Sequence, residues 1–156
     1  MPTISLIPTD SCHFDKFFEF ESDIVAVHMA AFASLATDLS QFKEMWTRRI
    51  DNTTATNRTI LLGDQVVGGI LSYPMEKGRH IGYWIDRNHW GQGIATQALN
   101  QFLEIEKTRP VIATCVSDNI GSRKVLEKNG FIYTHSENHP APARNEIVEE
   151  AFFILN

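Results

Sequence analysis

The chain has 156 residues, 43% of them apolar and 21% charged, which is the size of one ordinary domain with enough mass to bury a core. That composition is globular and excludes the disordered and membranous classes. A formal net charge of −5 speaks against a nucleic-acid partner, which selects a basic surface, and suits a cationic or amine-bearing substrate.

Thr3 to Ile7 alternates weakly and reads as a first strand. Pro8, Thr9, Asp10 and Ser11 form a turn with several helix caps. Phe14, Phe17, Phe18 and Glu21 follow helical spacing, and a second helical run spans roughly Asp23 to Ala36. A third places Leu39, Phe42, Trp46 and Ile50 at helical intervals after caps at Thr37 or Asp38. Thr59 to Leu62, Gly63-Asp64-Gln65, then Val66 to Tyr73 reads as a β-hairpin, followed by a loop from Pro74 to Gly78. His80 to Asp86 is a further strand, Trp90 to Ala95 a Gly-rich turn, and Ala95 to Lys107 a helix ended by Pro110. The apolar run Val111 to Val116 reads as a buried strand, and Asn119 to Asn129 as a helix stopped by Gly130. Phe131 to His135 and Glu149 to Leu155 are two last strands, joined by a Pro-rich loop from Glu137 to Asn145. No linker or repeat divides the chain, so residues 1–156 are expected to form a single α/β domain with a mixed sheet.

The two cysteines, Cys12 and Cys115, have neither metal nor redox spacing, so reduced thiols and no metal are expected. Met1 to Asp10 lacks a basic-then-apolar leader. The longest apolar stretch, Ile24 to Ala36, is broken by His28 and Ser34 and is too short for a bilayer. A cytoplasmic protein without a membrane partner is expected.

The strand-to-turn segment Ile81-Gly82-Tyr83-Trp84-Ile85-Asp86, then Trp90-Gly91-Gln92-Gly93-Ile94-Ala95, carries most of the chemical information. The first N–H groups of a helix lack internal partners, and the helix dipole adds partial positive charge there. Gly91 and Gly93 put no side chain between backbone and ligand, so a pyrophosphate can be cradled by successive N–H groups. Ala95 and Thr96 keep the mouth small and polar. A Walker loop is excluded, because Gly93 is followed by Ile94 and Ala95 rather than Lys and Ser/Thr. A dinucleotide fingerprint is excluded too, since it needs three spaced glycines early in a parallel unit. Taken alone, the turn also reads as a helix entry with two glycines for packing.

A second motif follows, Asn119-Ile120-Gly121-Ser122-Arg123-Lys124-Val125-Leu126-Glu127-Lys128-Asn129-Gly130-Phe131, with Asn119 and Ser122 one helical turn apart. In this order, Tyr-Trp-Ile, Trp-Gly-Gln-Gly-Ile-Ala-Thr and Asn-x-x-Ser-x-x-Val-Leu-Glu-Lys-x-Gly-Phe, the chain resembles the GNAT superfamily of N-acetyltransferases, RimJ/RimL-like branch. The resemblance is strong over Thr59 to Phe131. It implies a GNAT-like acyl-CoA N-acyltransferase fold, with a central, mostly antiparallel sheet, a splayed parallel strand pair and flanking helices. It also implies acetyl-CoA as cosubstrate, with the pantetheine arm in the V between strand Ile81–Asp86 and strand Val111–Val116. Pantetheine amides would then pair with backbone around Trp84, Ile85 and Asp86. The pyrophosphate would sit on the N–H groups of Gly91, Gln92, Gly93, Ile94, Ala95 and Thr96, with Trp90 among the cofactor-binding residues. Asn119 would reach pantetheine or substrate, and Ser122 the cofactor. The residue opening the turn, usually Arg or Gln, is Trp90. The tyrosine that many relatives carry as general acid is replaced by Leu126.

Acetyl transfer needs a neutral amine, a donor for the tetrahedral oxyanion and help for the departing thiolate. An unpaired N–H near Trp84 or Ile85 is the expected oxyanion donor. Ser122 is the first candidate for assisting the thiolate, or else a small residue that lets the helix approach the cofactor. His80 titrates in the range a base requires, and also reads as an ordinary hydrogen-bonded histidine. Tyr73 and Glu76 are comparable candidates, while Asp118 is read as the helix cap. Met29 to Phe32, Trp46 and His135 to Arg144 would face the acceptor. The expected reaction moves an acetyl group to a primary amine, on a protein N-terminus or a small molecule. The alternative is a non-catalytic acyl-CoA-binding or sensing domain. A homodimer is compatible with the resemblance, because late strands of such domains often pair.

Overall fold

The computed structural model describes residues 3–156. Its elements run β1 (Ile4–Pro8), α1 (Phe14–Glu21), α2 (Ile24–Ala30), α3 (Leu39–Asp51), β2 (Thr56–Leu62), β3 (Gln65–Met75) and β4 (Gly78–Ile85). Then come α4 (Ile94–Ile105), β5 (Val111–Val116), α5 (Ile120–Lys128), β6 (Ile132–Ala141) and β7 (Glu146–Leu155). The strands form one seven-stranded sheet in the order β1-β2-β3-β4-β5-β7-β6. Every neighbouring pair is antiparallel except β4 and β5. The mixed sheet with a single parallel pair at its centre matches the expected fold class. Among the described residues, no helix is long and apolar enough to cross a membrane.

Two layers of helix cover the sheet, because each helix buries one stripe. On one face Ile94, Ala98, Leu99 and Phe102 of α4 and Leu126 of α5 meet Ile81, Ile85, Val111 and Ala113. On the other, Phe14, Phe17 and Phe20 of α1 pack with Phe42 and Trp46 of α3 and against Leu71 and Trp84. Acidic caps set two helix starts on that side: Asp23 accepts from Val25 N–H at 2.9 Å and Asp38 from Gln41 N–H at 3.0 Å. Such a cap stabilises a helix by about 1 kcal/mol.

Four boundaries differ from the sequence reading. The second helix stops at Ala30 rather than Ala36, and Ala31 takes φ 68°. Its terminal carbonyls are bound from far along the chain: Arg144 donates to His28 O at 2.8 Å, and Ala143 N–H to Ala31 O at 3.2 Å. The loop from Pro74 to Gly78 shrinks to a tight turn, with β3 running to Met75 and β4 starting at Gly78. A Cβ at Gly78 would strike the Pro110 carbonyl, and its φ of +137° is one that L side chains rarely adopt. α4 ends at Ile105, before Lys107, as Glu106 turns inward to Arg79 Nε at 2.6 Å and Ser72 Oγ at 2.6 Å. The Pro-rich loop from Glu137 to Asn145 is mostly strand, forming a long β6–β7 hairpin; Pro140 is tolerated because β6 is an edge strand.

Candidate active site

The parallel pairing of β4 and β5 consists of Arg79↔Val111 and His80↔Ile112, anchored by Arg79 N–H to Pro110 O at 3.0 Å. Beyond His80 the strands part. Which backbone groups face the gap follows from the β3–β4 ladder, where donors and acceptors alternate sides. Asp86 N–H donates to Val67 O at 2.8 Å, and the register carries the same side back to Trp84, Gly82 and His80. The main-chain groups of Ile81, Tyr83 and Ile85 therefore face the split, and those of Trp84 face β3. This corrects the expectation of an unpaired Trp84 N–H; the Ile85 N–H keeps it. A cavity of about 730 Å³ occupies the split, lined by both strands, the Gly-rich turn, α5 and Ala26, Met29 and Ala30 of α2. Ligand sites are commonly of this size.

Asp86 turns the chain out of β4, its carboxylate accepting from Asn88 N–H at 3.1 Å. The Trp90 indole N–H donates to Ile85 O at 3.0 Å and pins the far end of this turn to the strand. Gly91 and Gly93 both have φ 77°, in the left-handed region that costs other residues about 1–2 kcal/mol. Gly93 is the N-cap of α4 and offers no capping side chain, so no side chain of the cap competes with a ligand for the first N–H groups. Trp90, Gly91, Gly93, Ile94, Ala95 and Thr96 line the cavity, joined by Lys124 and Lys128 from α5. Two expected contacts are not brought in: Gln92 is exposed, and Asp86 has its N–H and carboxylate engaged elsewhere; neither lines the cavity.

The start of α5 is capped by Asn119, whose Oδ1 accepts from Ser122 N–H at 3.1 Å. Asp118, read from sequence as the cap, instead grips Arg144 with both oxygens at 2.6 and 3.0 Å. That hydrogen-bonded guanidinium holds the Asp118 carboxyl below its usual range. With its oxygen committed to the cap, Asn119 has its side-chain NH2 for the cavity it lines. The Ser122 hydroxyl lies 2.7 Å from the Tyr83 hydroxyl and 3.4 Å separates that phenol from Ser122 O. Cys115 lines the same cavity, and burial pushes its thiol up to about 11. Burial also raises the Tyr83 phenol far above its ordinary value. Leu126 is fully buried in the core.

His80, Gly82 and Trp84 point to the opposite face, that of the aromatic core, since Trp84 pairs with Gly69, whose own face touches Phe17. His80 stacks on Tyr73 with ring centroids 5.2 Å apart, and burial lowers its pKa. A Cβ at Gly82 would meet nothing within 4 Å, so the row of side chains has a gap between His80 and Trp84. The Trp84 indole N–H is buried without a partner. Glu21, largely buried at the end of α1, is pushed up to about 7 by that burial, against the pull of Arg49. His80 and Met29 line the cavity. Tyr73 does not; it holds His80 from behind. Trp46, expected to face the acceptor, is core, its ring tilted against that of Phe17 with centroids 4.9 Å apart. His139 meets Glu137 and the edge of Phe32.

Tyr83, Cys115, Lys124 and Lys128 were not singled out by sequence. Strand alternation does put Tyr83 and Trp84 on opposite faces, and Lys124 and Lys128 are spaced one helical turn apart.

The family model for the acetyltransferase (GNAT) domain matches residues 4–132. The ribosomal-protein-serine acetyltransferase of Escherichia coli (strain K12) is 36% identical over 77 residues, covering 44% of this chain and 42% of that protein. The matched stretch thus spans less than half of that relative. A solved RimL, a ribosomal L7/L12 alpha-N-protein acetyltransferase in complex with coenzyme A, has a TM-score of 0.79 at 18% identity, covering 99% of this chain and 96% of that one. Spermidine N-acetyltransferase from Vibrio cholerae, in complex with CoA and spermine, has a TM-score of 0.81 at 12% identity, covering 97% and 95%. Identities this low establish the shared fold alone. With a family model matched from the first strand through the end of α5 and the split sheet in place, the chain belongs to the acetyltransferase (GNAT) domain family.

Proposed function

We propose that the chain transfers an acetyl group from acetyl-CoA to a primary amine by direct attack on the thioester. The observation that carries this reading is the split after His80↔Ile112, which turns unpaired strand backbone into a cavity continuous with the N-terminus of α4. An amide-bearing pantetheine arm is the chemistry that such a strand edge accepts, and a pyrophosphate is what the glycine turn accepts. Lys124 and Lys128 add positive charge on the same side. The two solved structures named above hold CoA in their complexes, which supports the same cosubstrate here.

In this reading the N–H of Ile85 or Tyr83 receives the oxyanion, and Ser122 assists the departing sulfur. His80, neutral at pH 7 because burial lowers its pKa, takes the extra proton of the ammonium form before attack, directly or through water. The amine arrives over Gly82, where the gap between His80 and Trp84 opens toward α2. Residues 1–156 act as one catalytic domain. The named relatives act on a ribosomal protein, on an L7/L12 N-terminus and on spermidine, so both protein and small-molecule amines belong in the test.

Thermal unfolding with millimolar acetyl-CoA, CoA or ATP comes first. A ligand at about 100 times its dissociation constant stabilises the fold by about 2.7 kcal/mol. A rise with both CoA species and none with ATP is expected, and no rise with either CoA species overturns the reading. Thiol release is then followed with a short peptide bearing a free N-terminal serine, with spermidine and with ribostamycin. CoA binding without turnover of any of the three favours the sensing alternative.

A further inference from the structure

The hydroxyl of Ser122 meets β4 where that strand diverges from β5. Counting on from Arg79↔Val111 and His80↔Ile112 puts Tyr83 and Cys115 at the same level of β4 and β5. Tyr83 reaches across from β4 to Ser122 of α5, the phenol 2.7 Å from Oγ. All three residues line the cavity.

We propose that Tyr83 is the positioning residue of Ser122, its phenol donating to Ser122 Oγ and so turning the serine's own proton into the cleft toward the substrate sulfur. This inference rests on the reading of Ser122 given above. Its direction follows from elementary acidity. A phenol is a stronger donor than an aliphatic alcohol, and a serine oxygen accepts readily. Its other acceptor, Ser122 O, lies farther away at 3.4 Å. Were the bond reversed, the serine's single proton would be spent on Tyr83. Burial keeps the phenol protonated across the working range, so Tyr83 donates a hydrogen bond and loses no proton.

The step balances. Attack forms the C–N bond and leaves a positively charged nitrogen beside the oxyanion. On collapse the C–S bond breaks and its electron pair goes to sulfur. Ser122 Oγ hands its proton to that sulfur and regains one from the nitrogen, giving the amide and free CoA thiol. Tyr83 stays neutral throughout. The phenol thus reaches the serine from β4, not from α5, where Leu126 is sealed in the core.

The test reads the thiol of bound CoA by its thiolate ultraviolet absorbance, as a difference between protein with and without CoA. Such a difference removes the absorbance of groups that CoA does not touch, while Cys115→Ala removes the thiol that shares the cleft. The thiol pKa is compared in the full-length protein, Tyr83→Phe, Ser122→Ala and the double variant, with melting temperature and CoA affinity measured on each. A rise of about one pH unit, tenfold in thiolate stability, is expected for Tyr83→Phe. Ser122→Ala should rise at least as far, and the double variant no further than Ser122→Ala alone. No shift in Ser122→Ala overturns the reading of Ser122 itself. A shift there without one in Tyr83→Phe, or an additive double variant, overturns the role of Tyr83 and leaves Ser122 standing. Tyr83→3-fluorotyrosine, a more acidic phenol of the same shape, should move the pKa down; no movement overturns the proposal even if Tyr83→Phe folds poorly.

Discussion

On the α4–α5 side of the split, the surface offered to the cavity is largely main chain and small side chains: the edge of β4, Gly91, Gly93, Ala95 and the first turn of α4. On the α1–α2 side it is side chain: His80 and Trp84, with Met29 above them and the gap at Gly82 between. A surface made of backbone depends on φ angles and register, so almost any residue change that preserves them is silent, and one that breaks them is severe. A surface made of side chains can change its chemistry without disturbing the fold. The first kind suits a cosubstrate that never varies, the second an acceptor that does.

Three substitutions press on that contrast. The largest effect is expected from Gly93→Val, which asks a β-branched residue to hold φ 77° at the N-cap of α4. It should cost about 1–2 kcal/mol of stability and also remove the stabilisation of about 2.7 kcal/mol by millimolar acetyl-CoA, a loss of roughly 4 kcal/mol with ligand present, read in one calorimetric series. Next is Glu21→Gln on the aromatic side. The folded carboxyl is raised from 4.5 to about 7, so its contribution is fully present below pH 4.5 and lost as pH rises through 7. The variant should match the parent at pH 4.5 and be more stable by roughly 3 kcal/mol well above pH 7. Denaturant titrations at the two pH values check it. The smallest is Gly82→Val. Its Cβ enters open space, so melting and the CoA shift should hold, while kcat/KM for the amine falls about tenfold, about 1.4 kcal/mol. If the CoA shift disappears instead, the gap belongs to the cosubstrate and the division of the two sides is wrong.

The same contrast explains what could be read in advance. The split strand, the glycine turn and α5 were legible because left-handed glycines and free helix ends leave marks in sequence. The early stop of α2 was not, since no Gly or Pro marks Ala31; Arg144 and Ala143 impose it from over a hundred residues away. The long β6–β7 hairpin was hidden by Pro140, which reads as a loop unless the strand is known to be an edge. Asp118 and Asn119 both suit an N-cap, and only the pull of Arg144 on Asp118 decides between them. Tyr83 shows the limit most plainly. Alternation separates it from Trp84, yet its meeting with Ser122 depends on how far β4 and β5 diverge, which no local pattern encodes.

The hydrogen bond from the Trp90 indole to Ile85 has an optical consequence. Trp46 and Trp84 keep their indole N–H groups buried without partners, so their excited states relax in an apolar setting and emit toward the blue. Trp90 is 40% exposed, hydrogen-bonded and on the rim of the cavity, so its emission lies to the red and is the one that a purine base or phosphate arriving at the turn can quench. The molecule carries its own fluorophore on the rim of the cavity, with Trp46 in the core to serve as its reference.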